Sequence, residues 1–420
     1  MTTTRRFAVD WPLVLIALTL SIFGIAVVYS AGQTDVPTIA ARAYRAQIVW
    51  FVIALIACYS ISRASVRLIE WLTVPVYAVT ILLLIAVLIP GLGSGAGTAA
   101  SVKGWLTIGG KRLGQPAELA KLSVVLMLAR VLGANREAPK SMVELWKPAV
   151  VVGIPWLLIM KQPDLGTGIV FVGIFFAMLY WSGVSWQLLV LIASPVISLL
   201  LASDWRLWGS WFCLFLALLL WYKPYMTEGV VLVCANVVMG VLAPILWDRL
   251  APYQQARLRV FIDPSIDPRR TGYHVIQSQV AIGSGGWFGK GFTQGPQKRF
   301  AFLPAQHTDF IFAVVGEELG FIGVMVALAL FLSFFLRVIK VSERANDSYS
   351  SLVAFGLLAS WFVHVLVNVG MTLNLMPITG IPLPFFSYGG SFMLASWLAI
   401  GVLVRISSEG RGAHSGPFAV

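Results

Sequence analysis

The chain has 420 residues, of which 58% are hydrophobic and 11% charged, and its mean hydropathy is +0.85. Soluble domains carry roughly 25% charged residues, so this composition excludes a water-exposed globular surface and points to an integral membrane protein. The net charge of +12 is scattered among apolar runs rather than gathered on one soluble face, which argues against a nucleic-acid partner.

From the N-terminus, the first apolar run (Trp11 to Ala31) is about twenty residues long, enough to cross a bilayer and longer than a signal-peptide core. A processed signal is the competing reading, because small residues lie near Ala31. Further spans are predicted at 46–62, 71–90, 116–133, 148–160, 166–183, 186–202, 208–222, 228–246, 308–339, 350–374 and 384–406, about twelve in all. The span at 148–160 is short and contains Pro155. Cys58, Cys213 and Cys234 fall in apolar runs without CxxC spacing and read as packing residues.

Basic residues set the orientation. Arg5 and Arg6 precede the first span, and Arg63 and Arg67 follow the second. Arg130, Arg136, Lys140 and Lys147 follow the fourth, Arg337, Lys340 and Arg344 the tenth, and Arg405 and Arg411 the last. By the positive-inside rule both termini are then cytoplasmic, with large loops at 91–115 and 247–307 outside. Against that rule, the second loop holds Arg249, Arg257, Arg259, Arg269, Arg270, Lys290, Lys298 and Arg299. Either an anionic ligand such as a lipid-linked pyrophosphate meets it, or it is a solvated or partner-binding loop. No internal repeat suggests an inverted-repeat transporter.

Ionisable residues at membrane depth mark a site or a structural bridge. Glu118 and Lys121 share a helical face as an i,i+3 pair, structural or catalytic. Asp164, after Pro163, is either the cap of the next helix or a site residue. Thr308 or Asp309 is placed to cap the tenth span, and within it Glu317 and Glu318 are adjacent carboxylates in an apolar helix, at least one of which needs a partner. The Pro- and Gly-rich run from Met376 to Ser391, with Asn368 and Asn374 nearby, is irregular backbone of the kind that lines a protein-walled cavity. These clusters map to the outer side and describe a polar cavity open to that face. In the long loop Asp263 and Asp267 both precede proline and read locally as turn formers. The glycine-rich run at 283–291 matches no P-loop, and there is no HExxH or GxSxG signature.

Five segments together resemble the shape, elongation, division and sporulation (SEDS) glycosyltransferases over nearly the whole chain. They are GQPAELAKL (114–122), KQPDLGT (161–167), DPRRTGYHVIQSQVAIGSGGWFGKG (267–291), LPAQHTDFIFAVVGEELG (303–320) and LMPITGIPLPFFSYGGS (375–391). KQPDLGT and GIPLPF resemble the elongation branch (RodA) more than the division branch (FtsW). The family's FQPSEL pattern has Gly114 and Ala117 here, and Gly104, beside Lys103, stands where the family has an arginine. That departure puts the role of that arginine in doubt, with Lys103, Lys111 and Arg112 as substitutes. The family usually has ten spans, so the helical pair at 203–227 and its flanks reads as an insertion within one all-α membrane domain over 1–420.

The resemblance implies lipid II as substrate and an undecaprenyl-linked glycan as product, with undecaprenyl pyrophosphate leaving and the anomeric centre inverted. Asp267 matches the family's essential carboxylate and is expected to be the general base. Glu118, Lys121, Lys161, Asp164, Gln277, His307, Asp309, Glu318 and Ser387 are expected to line or support the cavity. Lys121 and Lys161, with Lys103, Arg259, Arg269 and Arg270, are the pyrophosphate candidates. A divalent cation (Mg or Mn) is compatible with this chemistry, although no ligand spacing identifies a metal site, and no other cofactor is implied. The resemblance also implies a bacterial inner-membrane location, an extracytoplasmic active site and a class B penicillin-binding protein as partner. A lipid II flippase is the competing function, and an inert scaffold for the penicillin-binding protein ranks below it.

Overall fold

Among the described residues, five helices open on a side chain that accepts a hydrogen bond from one of their own free amides: Asp10, Ser65, Asp164, Asp204 and Asp347. In the computed structural model, which describes residues 9–36, 38–95, 104–109, 111–134, 137–250, 252–263, 266–267, 271–303 and 305–414, the chain is predominantly α-helical. In chain order the helices are α1 (Trp11–Ala31), α2 (Ala43–Arg63), α3 (Val66–Leu88), α4 (Pro116–Gly133), α5 (Trp146–Lys161), α6 (Leu165–Trp181), α7 (Trp186–Leu201), α8 (Trp205–Tyr222), α9 (Met226–Arg249), α10 (Pro252–Ile262), α11 (Thr271–Gly285), α12 (Pro296–Arg299), α13 (Ile311–Glu343), α14 (Ser348–Thr372) and α15 (Gly390–His414).

Each of the twelve predicted spans coincides with a helix. Among the described residues nine helices are long and apolar enough to cross a membrane. α6 and α7 are apolar but shorter, and α4 carries Glu118, Lys121 and Arg130. Helix α5 runs unbroken through Pro155, so the short predicted span is a full helix from Trp146. One boundary is corrected: 384–389 is irregular and α15 begins at Gly390, because Ser387 and Gly389 give their polar groups to neighbouring segments instead of to a helix. The 91–115 loop also holds an unforeseen three-stranded antiparallel sheet, β1 (Gly93–Ser94), β2 (Trp105–Ile108) and β3 (Lys111–Gly114).

Helix α2 lies along α15, α13 packs against α1, α11 and α14, and α14 also packs against α4 and α6. Helices α7, α8 and α9 make a satellite with its own small core of Leu191, Phe215 and Leu232. Contacts between helix ends sort them into two layers. Asp10, Arg337 and Ser407 meet at one end, where Tyr222 also reaches Lys140, and Glu228 reaches Met142. At the opposite end Ser30 meets Lys298, and Gln115 meets both Asp164 and Ser391.

Helix α13 is broken at Gly320 (φ 65°, ψ −162°). Into the break comes the turn after α11: Lys290 and Gly291 donate backbone N–H groups to the carbonyls of Glu317 and Glu318, and Phe321 and Ile322 donate to Gly286 and Trp287. A Cβ at Gly320 would lie 2.3 Å from the Gly289 nitrogen. The approach therefore requires glycine.

Candidate active site

The site grows from the first turn of α4. Three residues apart on one face, Glu118 and Lys121 form an ion pair of 2.7 Å with side chains only 4% and 5% exposed. Lys121 Nζ also lies 2.8 Å from Nε2 of His364 in α14 and 5.0 Å from the centre of the Phe392 ring, within cation–π range. On its other side His364 Nδ1 faces the Pro382 carbonyl at 2.9 Å. A carbonyl only accepts, so Nδ1 carries the proton and Nε2 accepts from the lysine ammonium. A small cavity of about 30 Å³ between α4, α14 and α15 is lined by Glu118, Lys121, Ser360, Trp361, Phe392 and Ser396.

The irregular segment 373–389 closes this region, and every anchor is polar. Asn368 Nδ2 donates to the carbonyls of Asp309 and Ile381 at 2.9 and 2.8 Å. The Ser387 hydroxyl donates to the Thr308 carbonyl at 2.6 Å and accepts from the Leu383 amide at 2.8 Å. Gln47 holds the Ser387 carbonyl and the Gly389 amide. Such bonds let non-helical backbone persist among membrane helices.

Asp164 caps α6, accepting from the Thr167 amide at 3.0 Å and its hydroxyl at 2.8 Å, and Gln115 reaches it at 3.4 Å. Neither Thr308 nor Asp309 caps α13, whose N-cap residue is Phe310 with no side-chain cap. Burial pushes the Asp309 carboxyl up to about 6, against the pull of Arg257 and the Thr308 hydroxyl, and the Asp164 charge raises it further. Burial also lowers His307, and burial together with Arg257 lowers His274 on α11. Arg257 of α10 thus acts on both Asp309 and α11.

Asp267 is half-buried just before α11, where its carbonyl accepts the Gly272 amide at 2.9 Å. On α11, Gln277 is half-buried, while Ser278 and Gln279 donate to the carbonyls of Thr372 and Leu373. Lys161 is exposed at the end of α5, and Arg259 is exposed with its guanidinium 5.7 Å from the Trp247 ring. Lys103, Arg269 and Arg270 lie outside the described residues.

Glu318 belongs to a second network. It pairs with Lys298 at 2.8 Å, the two side chains being 2% and 0% exposed. Lys298 also donates to the Ser30 carbonyl and hydroxyl, and that hydroxyl donates to Glu318. Glu317 accepts the backbone amides of Gln297 and Lys298 and so anchors α12. Both adjacent glutamates therefore find partners inside the protein. Lys298 and Arg299, counted among the outer cations, are engaged with Glu318 and Asp35, which reduces the free positive charge of the loop. His364 and Gln47 were not singled out from the sequence: each is a lone polar residue in an apolar run, and only the tertiary structure shows what it reaches.

Fold and site define a polytopic all-α membrane protein with an ion-paired polar centre beneath an irregular segment. The FtsW/RodA/SpoVE family model, described as cell cycle proteins, matches residues 10–208 and 209–412. The chain is 35% identical to the peptidoglycan glycosyltransferase RodA of Treponema pallidum, covering 95% of this chain and 98% of that one. It is 34% identical to the peptidoglycan glycosyltransferase MrdB of Escherichia coli K12, covering 95% and 94%. Among solved structures, a chain of a peptidoglycan synthase complex that coordinates polymerization and crosslinking superposes with TM-score 0.70 at 25% identity, covering 96% and 99%. The fold of Thermus thermophilus RodA matches with TM-score 0.61 at 24% identity, covering 95% and 97%. The chain belongs to the FtsW/RodA/SpoVE (SEDS) family, and it is a membrane-embedded glycosyltransferase.

Proposed function

We propose that this enzyme polymerises lipid II into glycan strands during cell elongation, with its active site on the extracytoplasmic face and both termini in the cytoplasm. The carrying observation is the buried Glu118–Lys121–His364 network at the end of the bundle where Gln115, Asp164 and Ser391 also meet. The electrostatic reach of Arg257 to Asp309 ties the 247–307 loop to the same end. A fixed ammonium at a water-poor site suits charge that develops on a leaving pyrophosphate.

In this reading the 4-hydroxyl of the acceptor sugar attacks C1 of the lipid-linked donor. A C1–O bond forms, the bond to the pyrophosphate breaks with inversion, and Asp267 takes the hydroxyl proton as general base. Undecaprenyl pyrophosphate leaves with the electron pair, met by Lys121 and by loop cations such as Arg259. Glu118, Asp164, Asp309 and Ser387 hold the walls and the irregular segment in place. Lysine and arginine supply charge compensation in this reading, and a divalent cation (Mg or Mn) at the pyrophosphate would add to it. A class B penicillin-binding protein is the proposed partner, which would cross-link the strands.

The experiment is glycan polymerisation from labelled lipid II by the purified protein, with and without its penicillin-binding partner, comparing wild type with Asp267→Ala. Polymer from wild type that disappears in a folded variant supports both activity and base. If no condition gives polymer, the enzyme reading fails, and transbilayer movement of lipid II in vesicles tests the flippase instead.

A further inference from the structure

Lys121 has three N–H donors. Its ammonium is ion-paired with Glu118 at 2.7 Å and lies 2.8 Å from Nε2 of His364. His364 is fully buried, stacked on Phe392 with ring centroids 4.7 Å apart, and oriented by the Pro382 carbonyl. The two bonds at its ring have different consequences. The Nδ1 bond fixes which nitrogen accepts, in the manner of second-shell partners that set a histidine tautomer. The Nε2 bond then aims the lysine ammonium, because a neutral imidazole nitrogen accepts from it. The same ring links Lys121 to the irregular segment, since Pro382 belongs to it. Phe392 lies against one side of the ammonium, and Lys121 helps to line the small cavity between α4, α14 and α15.

We propose that His364 is a positioning residue for glycosyl transfer, holding the Lys121 ammonium so that its remaining donor meets an anionic oxygen of the lipid-linked pyrophosphate in the transition state. This rests on the polymerase reading above. Neither catalysis by His364 itself nor contact with substrate is involved.

Two conservative variants separate its two bonds. In His364→Gln the amide reaches as far as Nε2 and keeps an acceptor for Lys121. In His364→Asn the shorter amide reaches only to the Nδ1 position and keeps the donor for Pro382. Both are assayed on lipid II with the full chain and its partner. The expected result is that His364→Gln stays within about threefold of wild type, whereas His364→Asn loses about tenfold or more in kcat with little change in KM, as for a bond to a charged group that acts in the transition state. The reverse order, equal losses in both, or no loss in either overturns the proposal.

A readout independent of activity keeps this test distinct from that of the polymerase reading. Melting temperatures are measured for His364→Asn, Lys121→Met and the double variant. A shift from His364→Asn that vanishes in the Lys121→Met background shows the coupling. Additive shifts overturn the proposal even if wild type makes polymer, and if wild type makes none this cycle alone decides.

Discussion

Lys298 Nζ sits 2.8 Å from Glu318 Oε1, and neither side chain meets solvent. The pair joins the loop around α12 to α13 two residues before its break at Gly320 and, through Ser30, to the end of α1. Removing one partner of such a pair leaves a buried charge and costs about 3–5 kcal/mol, whereas replacing both by apolar residues is often near neutral. Lys298→Met and Glu318→Leu are each expected to lower the melting temperature strongly, and the double variant to recover most of the loss. Additive losses in thermal unfolding would show that the pair is not the stabilising unit.

Gly320 makes a second demand on the same region. Its backbone lies in a region essentially confined to glycine, where a side chain adds about 1–3 kcal/mol of strain, and its Cβ would meet the backbone of Trp287, Phe288 and Gly289. Gly320→Ala is expected to destabilise by at least that amount and to free the turn at 286–291. Proteolysis at Trp287 or Phe288, both exposed, should then become faster than in wild type; an unchanged cleavage rate would count against the interlocked geometry.

Asp309 predicts a pH dependence. Its carboxyl titrates at about 6 in the folded chain against an ordinary 3.8, because burial disfavours the charge. The folded state therefore holds this proton more tightly than the unfolded state. The stability it contributes is complete below pH 3.8 and is lost as pH rises through about 6. Asp309→Asn removes this dependence, so melting temperatures of variant and wild type should diverge between pH 5 and 7 in favour of the variant. Parallel curves would show that Asp309 does not titrate there.

The apolar runs were legible because hydropathy is a local property, and all twelve became helices. What the sequence concealed depends on distant segments. The break at Gly320 lies in a run that, Glu317 and Glu318 apart, is apolar from Ile311 onward, and glycine is common in membrane helices; the turn that opens the break comes from Lys290 and Gly291. Pro384, Phe385 and Phe386 extend the hydropathy of the last span, yet Ser387 and Gly389 bond elsewhere and delay α15 to Gly390. In the sheet the strands are at most four residues long, too short for alternation to show. The pairing of Glu118 with Lys121 follows from i,i+3 spacing, whereas His364 lies 243 residues from Lys121 and carries no local sign of its partner.

Asn236 tests the independence of the satellite. Buried in α9, it accepts from the Ser198 hydroxyl at 2.6 Å and donates to the Ser194 hydroxyl and the Leu232 carbonyl at 2.8 Å. It thereby ties α9 to α7 by side-chain hydrogen bonds, each worth about 0.6 kcal/mol on average and up to about 1.7 between membrane helices. Its neighbours Leu191, Phe215 and Leu232 form a core separate from that of the main bundle. Asn236→Leu is therefore expected to lower stability by about 1–2 kcal/mol while leaving the rate of polymer formation within error of wild type. Thermal unfolding and the lipid II assay on the same preparation check both halves. A parallel loss of rate would mean that α7 to α9 support the catalytic centre.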